Sequence, residues 1–205
     1  MNSDMEGVAK LVQDTEKGVV SIRKFSIDDK QAKAFNLRCL FNGDDEGMII
    51  PGDYVKLTIG GTLYMSDTPM EQRTNREFIR KANGDVMIAG LGIGLIIHNL
   101  REAVQEGKVK SITIYEKFQD VIDLVAPIYA GLPITYKCAD ILEYKPSREE
   151  KYDTIYFDIW PEVSCSNLPE MRLLANRWKF HLNRDNPNCW MDSWRKKRCQ
   201  QLNRE

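Results

Sequence analysis

The feature that most constrains the fold is an apolar run that ends in three closely spaced glycines. The run is Asp85-Val-Met-Ile-Ala-Gly-Leu-Gly-Ile-Gly-Leu95, and a helical pattern of apolar residues follows it. Glycine is favoured where the backbone turns sharply or approaches a ligand without a Cβ in the way. The first turn of a following helix also offers N–H groups to the oxygen atoms of a ligand. The segment therefore predicts a strand, a nucleotide-binding turn and a helix.

A second apolar strand, Ser111-Ile-Thr-Ile-Tyr-Glu116, is predicted further along the chain and ends in a carboxylate. An acid at the end of the second strand of such a unit accepts hydrogen bonds from ribose hydroxyls. Gly90, Gly92 and Gly94 fit the spacing G-x-G-x-G. The dinucleotide pattern G-x-G-x-x-G would need a glycine at the next position, where the chain has Leu95. The spacing favours S-adenosylmethionine over NAD.

The overall composition gives no sign of a nucleic-acid or membrane partner. The chain has 205 residues with 29 basic and 30 acidic side chains, and its net charge of −1 creates no field that attracts either. The short stretch Arg195-Lys-Lys-Arg198 leaves a local phosphate contact open, although such stretches are usually solvated. With no secretory leader and no apolar run of membrane-spanning length, we expect a cytoplasmic protein. A homo-oligomer remains open.

The cysteines do not form a recognisable site. They are Cys39, Cys138, Cys165, Cys189 and Cys199, and no two of them have C-x-x-C spacing. An odd number of scattered cysteines argues against a disulfide framework and against zinc ligands. We therefore expect free thiols and no metal site.

The part of the chain before the glycine turn has the alternation that is typical of strands. Residues 18–66 are predicted to be rich in β-structure, with Gly60-Gly61 as the two-residue loop of a hairpin. Pro69 suits the first turn of a helix, which is predicted to run to Ala82 and to end at Asn83-Gly84. We expect a β-rich subdomain over residues 1–66 and a Rossmann-like domain over residues 67–205.

Strands and helices alternate from Asp85 onward, which is typical of βαβ units in a parallel sheet. The predicted strands cover residues 85–89, 110–115, 134–138, 153–158 and 188–192. The predicted helices cover residues 93–106, 118–130 and 167–182. The pattern predicts an α/β fold with an open, mostly parallel Rossmann-like sheet of about five strands, beside the small N-terminal β subdomain.

Acidic residues follow three of the predicted strands: Glu116, Asp140 and Asp158. Ligands of open parallel sheets bind beyond the carboxyl ends of the strands, so these side chains are expected to surround one ligand. Glu116 would bind the ribose, Asp140 the exocyclic amine of adenine, and Asp158 the methionine portion or the substrate. Asp140 could instead cap the residues that follow it.

The segment Lys151-Tyr-Asp-Thr-Ile-Tyr-Phe-Asp-Ile-Trp-Pro161 resembles the fourth strand of class I S-adenosylmethionine-dependent methyltransferases. The resemblance covers about residues 85–194 and implies an α/β sandwich, truncated here, that transfers a methyl group from the sulfonium. The hairpin before Met65-Ser-Asp-Thr-Pro69 is similar in layout to the spermidine-synthase-like branch. Asp-Ile-Trp-Pro, together with Asn167-Leu-Pro-Glu-Met171, resembles methyltransferase-like proteins of phages and prophages.

The motifs and the resemblance together imply a cofactor site and an adjoining substrate site. The residues expected around S-adenosylmethionine are those of the glycine turn and of the following strand ends: Gly90, Leu91, Gly92, Gly94, Glu116, Lys117, Asp140, Ile141 and Asp158. Asp158 is also the expected catalytic residue, because a carboxylate there can orient an amine acceptor or take up its proton. The residues expected to contact the substrate are Asp67, Asn75, Trp160 and Pro161.

Two departures from the family pattern keep other functions open. Many methyltransferases begin the glycine motif with an acid that binds the methionine amine, where this chain has Ala89; Asp158 or Asp67 would then bind that amine. Aminopropyl transfer usually needs a second acid soon after the fourth strand, and only Glu162 is near. The alternatives to methyl transfer to an unidentified acceptor are a non-catalytic nucleoside-binding module, an aminopropyltransferase-like enzyme and an NAD-linked oxidoreductase. Residues 65–79 would form a lid or an amphipathic helix.

Overall fold

Two β-sheets, one antiparallel and one parallel, form the framework of the computed structural model, which describes residues 6–41 and 47–204. The antiparallel sheet contains, in this order, β1 (Thr15–Lys17), β2 (Val20–Ile27), β3 (Gly52–Ile59) and β4 (Thr62–Ser66). The predicted hairpin is confirmed, because Gly60-Gly61 joins β3 to β4 with φ values of 57° and 82°. Residues 1–5 and 42–46 of the predicted β-rich subdomain lie outside the described ranges.

A helix that the sequence analysis did not predict, α1 (Asp29–Phe41), follows β2. It begins with a reciprocal pair of hydrogen bonds in which the Gln31 N–H donates to the Asp28 carboxylate and the Asp28 N–H donates to the Gln31 side chain. This is a capping box, which satisfies two backbone N–H groups at a helix start. The spacing Asp-x-x-Gln was therefore the local signal for this helix.

The parallel sheet confirms the predicted Rossmann-like architecture. Its strands are β5 (Gly84–Ala89), β6 (Val109–Glu116), β7 (Ile134–Cys138), β8 (Thr154–Phe157) and β9 (Trp190–Ser193). Within the described residues they form one five-stranded sheet in the order β7-β6-β5-β8-β9, with every neighbouring pair parallel. The strand order reverses beside β5, and ligands of open α/β sheets bind at such a point.

Four of the five helices that follow match predicted ones with shifted ends, and the last was not predicted. They are α2 (Pro69–Lys81), α3 (Leu95–Gln105), α4 (Gln119–Val125), α5 (Leu168–Trp178) and α6 (Lys196–Leu202). The predicted helix over 118–130 becomes a 3₁₀ turn after Val125, where Pro127 has no N–H to continue the α-helical pattern. The basic stretch at residues 195–198 was expected to be a solvated tail. It instead leads into α6, whose Cys199 is fully buried. None of the described helices is long and apolar enough to cross a membrane.

Alternating residues of β5 face two separate cores. Met87 and Ala89 pack in the core that contains α5 and α6. Val86 and Ile88 pack in the core that contains α2, α3 and α4, and buried residues of β2 and β3 belong to that same core. A parallel sheet covered on both faces gives this continuous apolar strand. The antiparallel sheet therefore shares a core with the parallel one, while the predicted division after residue 66 stays a prediction.

Replacing Gly94 by alanine is expected to destabilise the protein more than replacing Gly107. Both glycines have positive φ, 77° and 71°, so alanine at either position loses about 1–2 kcal/mol of stability. At Gly94 the new Cβ would also overlap the ring of Tyr129, whereas at Gly107 no atom lies within 4 Å. The free energies of unfolding in urea measure the difference. Equal losses for the two variants would contradict the close contact with Tyr129.

Candidate functional site

A cavity of about 300 Å³ lies at the carboxyl ends of β5, β6 and β8. Most of the predicted site residues line it: Gly90, Leu91, Gly92, Glu116, Lys117, Asp140, Ile141, Asp158, Trp160 and Pro161. The structure therefore brings residues from four separate loops to one site. Gly94, Asp67 and Asn75 are predicted site residues that do not line this cavity.

The antiparallel sheet contributes a wall of the cavity that the sequence analysis did not foresee. Leu57 and Ile59 of β3 line it together with Tyr64 and Met65 of β4. The Tyr64 ring packs edge-on against Phe118, with 6.1 Å between the ring centroids. The hairpin thus gives the cavity an apolar side, and apolar walls with a few polar groups are typical of small-molecule sites.

The glycine turn holds neighbouring parts of the protein at close range. A Cβ on Gly90 would overlap the backbone oxygen of Asp158, and a Cβ on Gly92 would overlap the sulfur of Met65. The N–H of Ile93 donates to that sulfur over 3.3 Å. Gly94 contacts Tyr129 and belongs to the packing of α3 rather than to the cavity wall. The Ile93 N–H, one of the groups that a pyrophosphate would use at the start of α3, is therefore already bonded within the protein.

Glu116 lies beside the glycine turn and is only 8% exposed. Its carboxylate accepts hydrogen bonds from the N–H groups of Leu91 and Phe118, each over 2.9 Å. Burial raises the pKa of Glu116, and these N–H donors act in the opposite direction. Glu116 also lines the cavity, where a hydroxyl of a ligand can donate to the same carboxylate. That position suits a ribose.

Asp140 and Lys117 form an ion pair on the cavity wall, with 2.8 Å between the Nζ and Oδ2 atoms. The other oxygen of Asp140 accepts the N–H of Leu142 over 2.9 Å, which is the capping role considered from the sequence. Partial burial acts to raise the pKa of Asp140, but the Lys117 and Leu142 donors lower it below its usual value. The buried side chain of Ile141 supplies apolar surface next to this pair.

Three acids, Glu71, Asp158 and Glu170, line the cavity away from Glu116, and we refer to them as the acidic end. Asp158 follows β8 and Glu116 ends β6, so β5 separates them by about 10 Å. Trp160 donates its indole N–H to Glu170 over 2.7 Å. Glu162, the nearby acid in the sequence, does not line the cavity. Glu71 and Glu170 are therefore the acids that sequence reasoning did not assign to the site.

Asn75 lies behind the acidic end and is fully buried. It hydrogen-bonds the Asp158 side chain, accepts the Tyr156 hydroxyl over 2.9 Å and donates to the backbone oxygen of Glu71 over 3.1 Å. Asn75 therefore positions Asp158. Asn75 and Glu71 are four residues apart, and this spacing places both on one face of α2. The spacing was the sequence pattern that could have indicated Glu71 as a site residue.

Asp67 is buried between the hairpin and the N-terminal segment. Its carboxylate accepts the N–H groups of Val8, Ala9 and Val55 over 2.8, 2.9 and 2.7 Å. Three donors leave little capacity for a ligand, and the side chain is only 1% exposed. Asp67 therefore connects the N-terminal segment to β3. Its predicted contact with a substrate or a methionine amine stays a prediction.

Burial raises the pKa of two acids at the acidic end, Asp158 and Glu71. For Asp158 the pKa reaches about 7, even though the hydrogen bond from Asn75 lowers it. For Glu71 the pKa reaches about 8 through burial and through the nearby charge of Asp158. Near neutral pH the pair therefore holds a proton that it can exchange.

No family model and no curated protein sequence matches the chain. Among solved structures, it is similar to an S-adenosylmethionine-dependent methyltransferase from Leishmania major at 18% identity and a TM-score of 0.43, covering 58% of this chain and 46% of that one. The chain is also similar to the methyltransferase PaMTH1 from Podospora anserina, solved with S-adenosylhomocysteine, at 12% identity and a TM-score of 0.43. That match covers 78% of this chain and 60% of PaMTH1. A third similar structure is the iminosuccinate reductase from Paracoccus denitrificans, solved with NAD⁺, at 13% identity and a TM-score of 0.31. That match covers 68% of this chain and 42% of the reductase.

The chain thus spans about half of the length of the structures that it matches, from 42% to 60% for these three. Methyltransferases and an NAD-binding reductase both occur among them. The choice between these functions has to come from the geometry of the site.

Replacing Glu71 by glutamine is expected to make stability less dependent on pH. The Glu71 pKa rises from 4.5 to about 8 on folding, so the unfolded chain loses this proton first and stability falls between those pH values. The slope for one such group is at most about 1.4 kcal/mol per pH unit. Urea unfolding at several pH values measures it, with Glu77→Gln, a half-exposed acid on the same helix, as the control. An unchanged slope in Glu71→Gln would refute the assignment.

Proposed function

We propose that this protein is an S-adenosylmethionine-dependent methyltransferase and that the cavity at the end of β5 holds the cofactor. The observation that carries the proposal is the position of the Glu116 carboxylate, which lines the same cavity as Gly90 and Gly92 at the reversal of the strand order. Glu116 would bind the ribose, and Asp140 with Ile141 would contact the adenine. The methionine portion would then extend toward the acidic end.

The charges and contacts of the cavity support this cofactor over a dinucleotide. Acidic side chains attract the positive sulfonium and ammonium groups of S-adenosylmethionine and repel a pyrophosphate. A pyrophosphate would also need the N–H groups at the start of α3, where Met65 accepts from Ile93 and Gly94 contacts Tyr129. The sequence pattern and the site geometry therefore favour the same cofactor.

The residues of the cavity can align the reactants, exclude water and move a proton. S-adenosylmethionine supplies an electrophilic methyl group, so the protein has mainly to position an acceptor in line with it. The apolar wall from β3 and β4 keeps water from the reacting groups. Asp158 can take up the proton that an amine acceptor loses, because a pKa of about 7 is well matched to that task.

Aminopropyl transfer is a second candidate that one observation favours. The sequence offered no second acid close to Asp158 apart from Glu162, but the folded chain places Glu71 and Glu170 in the cavity with it. These acids could hold a second positive charge of a polyamine. Incubation with S-adenosylmethionine or with its decarboxylated form distinguishes the two reactions, since methyl transfer releases S-adenosylhomocysteine and aminopropyl transfer releases methylthioadenosine.

Replacing Glu116 by alanine is expected to weaken the binding of S-adenosylhomocysteine by about 1–3 kcal/mol, the effect of losing charge-assisted hydrogen bonds. Isothermal titration calorimetry of both proteins measures the difference, with NAD⁺ as the parallel ligand. Glu106→Ala, which alters an exposed acid after α3, is the matched control and should bind as the unchanged protein does.

Three results would count against the proposed function or one of its parts. Binding of NAD⁺ without binding of S-adenosylhomocysteine would favour the oxidoreductase. Equal affinity in Glu116→Ala and in the unchanged protein would remove Glu116 from the ribose site. Tight binding without methyl transfer to any of a panel of amines would favour the non-catalytic module.

A further inference from the structure

Glu71 is the one acid of the cavity whose carboxyl group makes no hydrogen bond with any described residue. It lies on α2, is only 8% exposed, and lines the cavity. A buried carboxylate without a partner is unfavourable, and proteins normally supply donors to such a group. The position of Glu71 therefore needs an explanation other than the stability of the fold.

The same chain supplies donors to its other buried acids. Asp67 accepts three backbone N–H groups, and Glu116 accepts two. Asp153 accepts the Asp85 N–H over 2.9 Å and the side-chain amides of two asparagines. Glu71 differs from all of these because it lines the cavity near Asp158 and no described residue donates to its carboxyl group. Its missing partner is therefore expected in the cavity.

The described residues of the cavity wall provide no cation for this pair. Lys117 is the basic residue among them, and it already forms its ion pair with Asp140. The described residues also contain no cluster of His, Cys, Asp and Glu with the geometry to hold a metal ion. A positive group that enters with a ligand, and that carries hydrogen-bond donors, would satisfy both carboxylates.

We propose that Glu71 and Asp158 form a subsite for an alkylammonium group. The inference rests on the proposed function only in taking this cavity as the ligand site. The ammonium group can come from the amino-acid portion of S-adenosylmethionine, where Ala89 replaces the usual acid, or from an amine that accepts the methyl group. The Asn75 side chain hydrogen-bonds the Asp158 carboxyl group and also donates to the backbone oxygen of Glu71, so one amide positions both residues.

The test compares ligands with and without an ammonium group in the Glu71→Gln variant at pH 8.5. S-adenosylhomocysteine carries the group, and 5′-methylthioadenosine lacks the amino-acid portion. Butylamine, titrated in the presence of methylthioadenosine, represents an acceptor amine, and butanol is its neutral counterpart. Calorimetry gives the affinities, Asp158→Asn tests the second carboxylate, and Glu77→Gln controls for changing an acid elsewhere on α2.

We expect Glu71→Gln to bind one of the two ammonium ligands about tenfold or more weakly, with methylthioadenosine unaffected. Loss of affinity for S-adenosylhomocysteine assigns the subsite to the cofactor, and loss for butylamine assigns it to the acceptor. A structural role of Glu71 would change the affinity for methylthioadenosine equally, and that result would overturn the proposal.

The remaining outcomes separate this inference from the proposed function. If the unchanged protein binds S-adenosylhomocysteine and neither ammonium ligand responds to Glu71→Gln, the subsite is wrong and the function stands. If butylamine binds in a Glu71-dependent way and neither adenosyl ligand binds, the subsite stands and the function is wrong. Failure of the unchanged protein to bind either ammonium ligand would overturn the subsite as well.

Discussion

The close approach of two strand ends is the constraint on which the site depends. Gly90 follows β5 so near to the backbone oxygen of Asp158 that a Cβ would overlap it. The Gly90 N–H donates to the Tyr115 oxygen and the Asp158 N–H donates to the Ala89 oxygen, each over 2.8 Å, so the turn is fixed to both neighbours of β5. A side chain at position 90 would separate β5 from β8 and move Asp158 away from the glycine turn.

The buried acids of the chain differ in the hydrogen-bond donors that the protein supplies to them. Asp67 receives three backbone donors and fastens two segments together. Glu116 receives the N–H groups of Leu91 and Phe118 and also lines the cavity. Glu71 receives none from the described residues and lies near Asp158. A buried carboxylate without protein donors gains more from a donor on a ligand than one that the protein already satisfies.

Local sequence patterns predicted the parallel sheet and much of the candidate site, but they did not predict contacts between residues that are far apart in the chain. The glycine turn, Glu116 and Asp158 could be found because strand ends carry their own signals in the sequence. Glu71 and Glu170 reach the cavity from α2 and α5. The spacing from Asn75 places Glu71 on the same helix face, but no local pattern predicts that the two helices meet at the cavity. The wall formed by Leu57 and Met65 depends on how the two sheets pack. The helix α1 was missed although its capping box was present in the sequence.

The shared core between the two sheets makes the antiparallel sheet an integral part of the fold that forms the cavity. Lys17 of β1 pairs with Asp123 on α4, and Met65 covers the glycine turn. A chain shortened to residues 67–204 would lose one wall of the cavity and the buried residues of β2 and β3 that belong to the same core as Val86 and Ile88. The cavity is therefore complete only when the first third of the chain has folded against the parallel sheet.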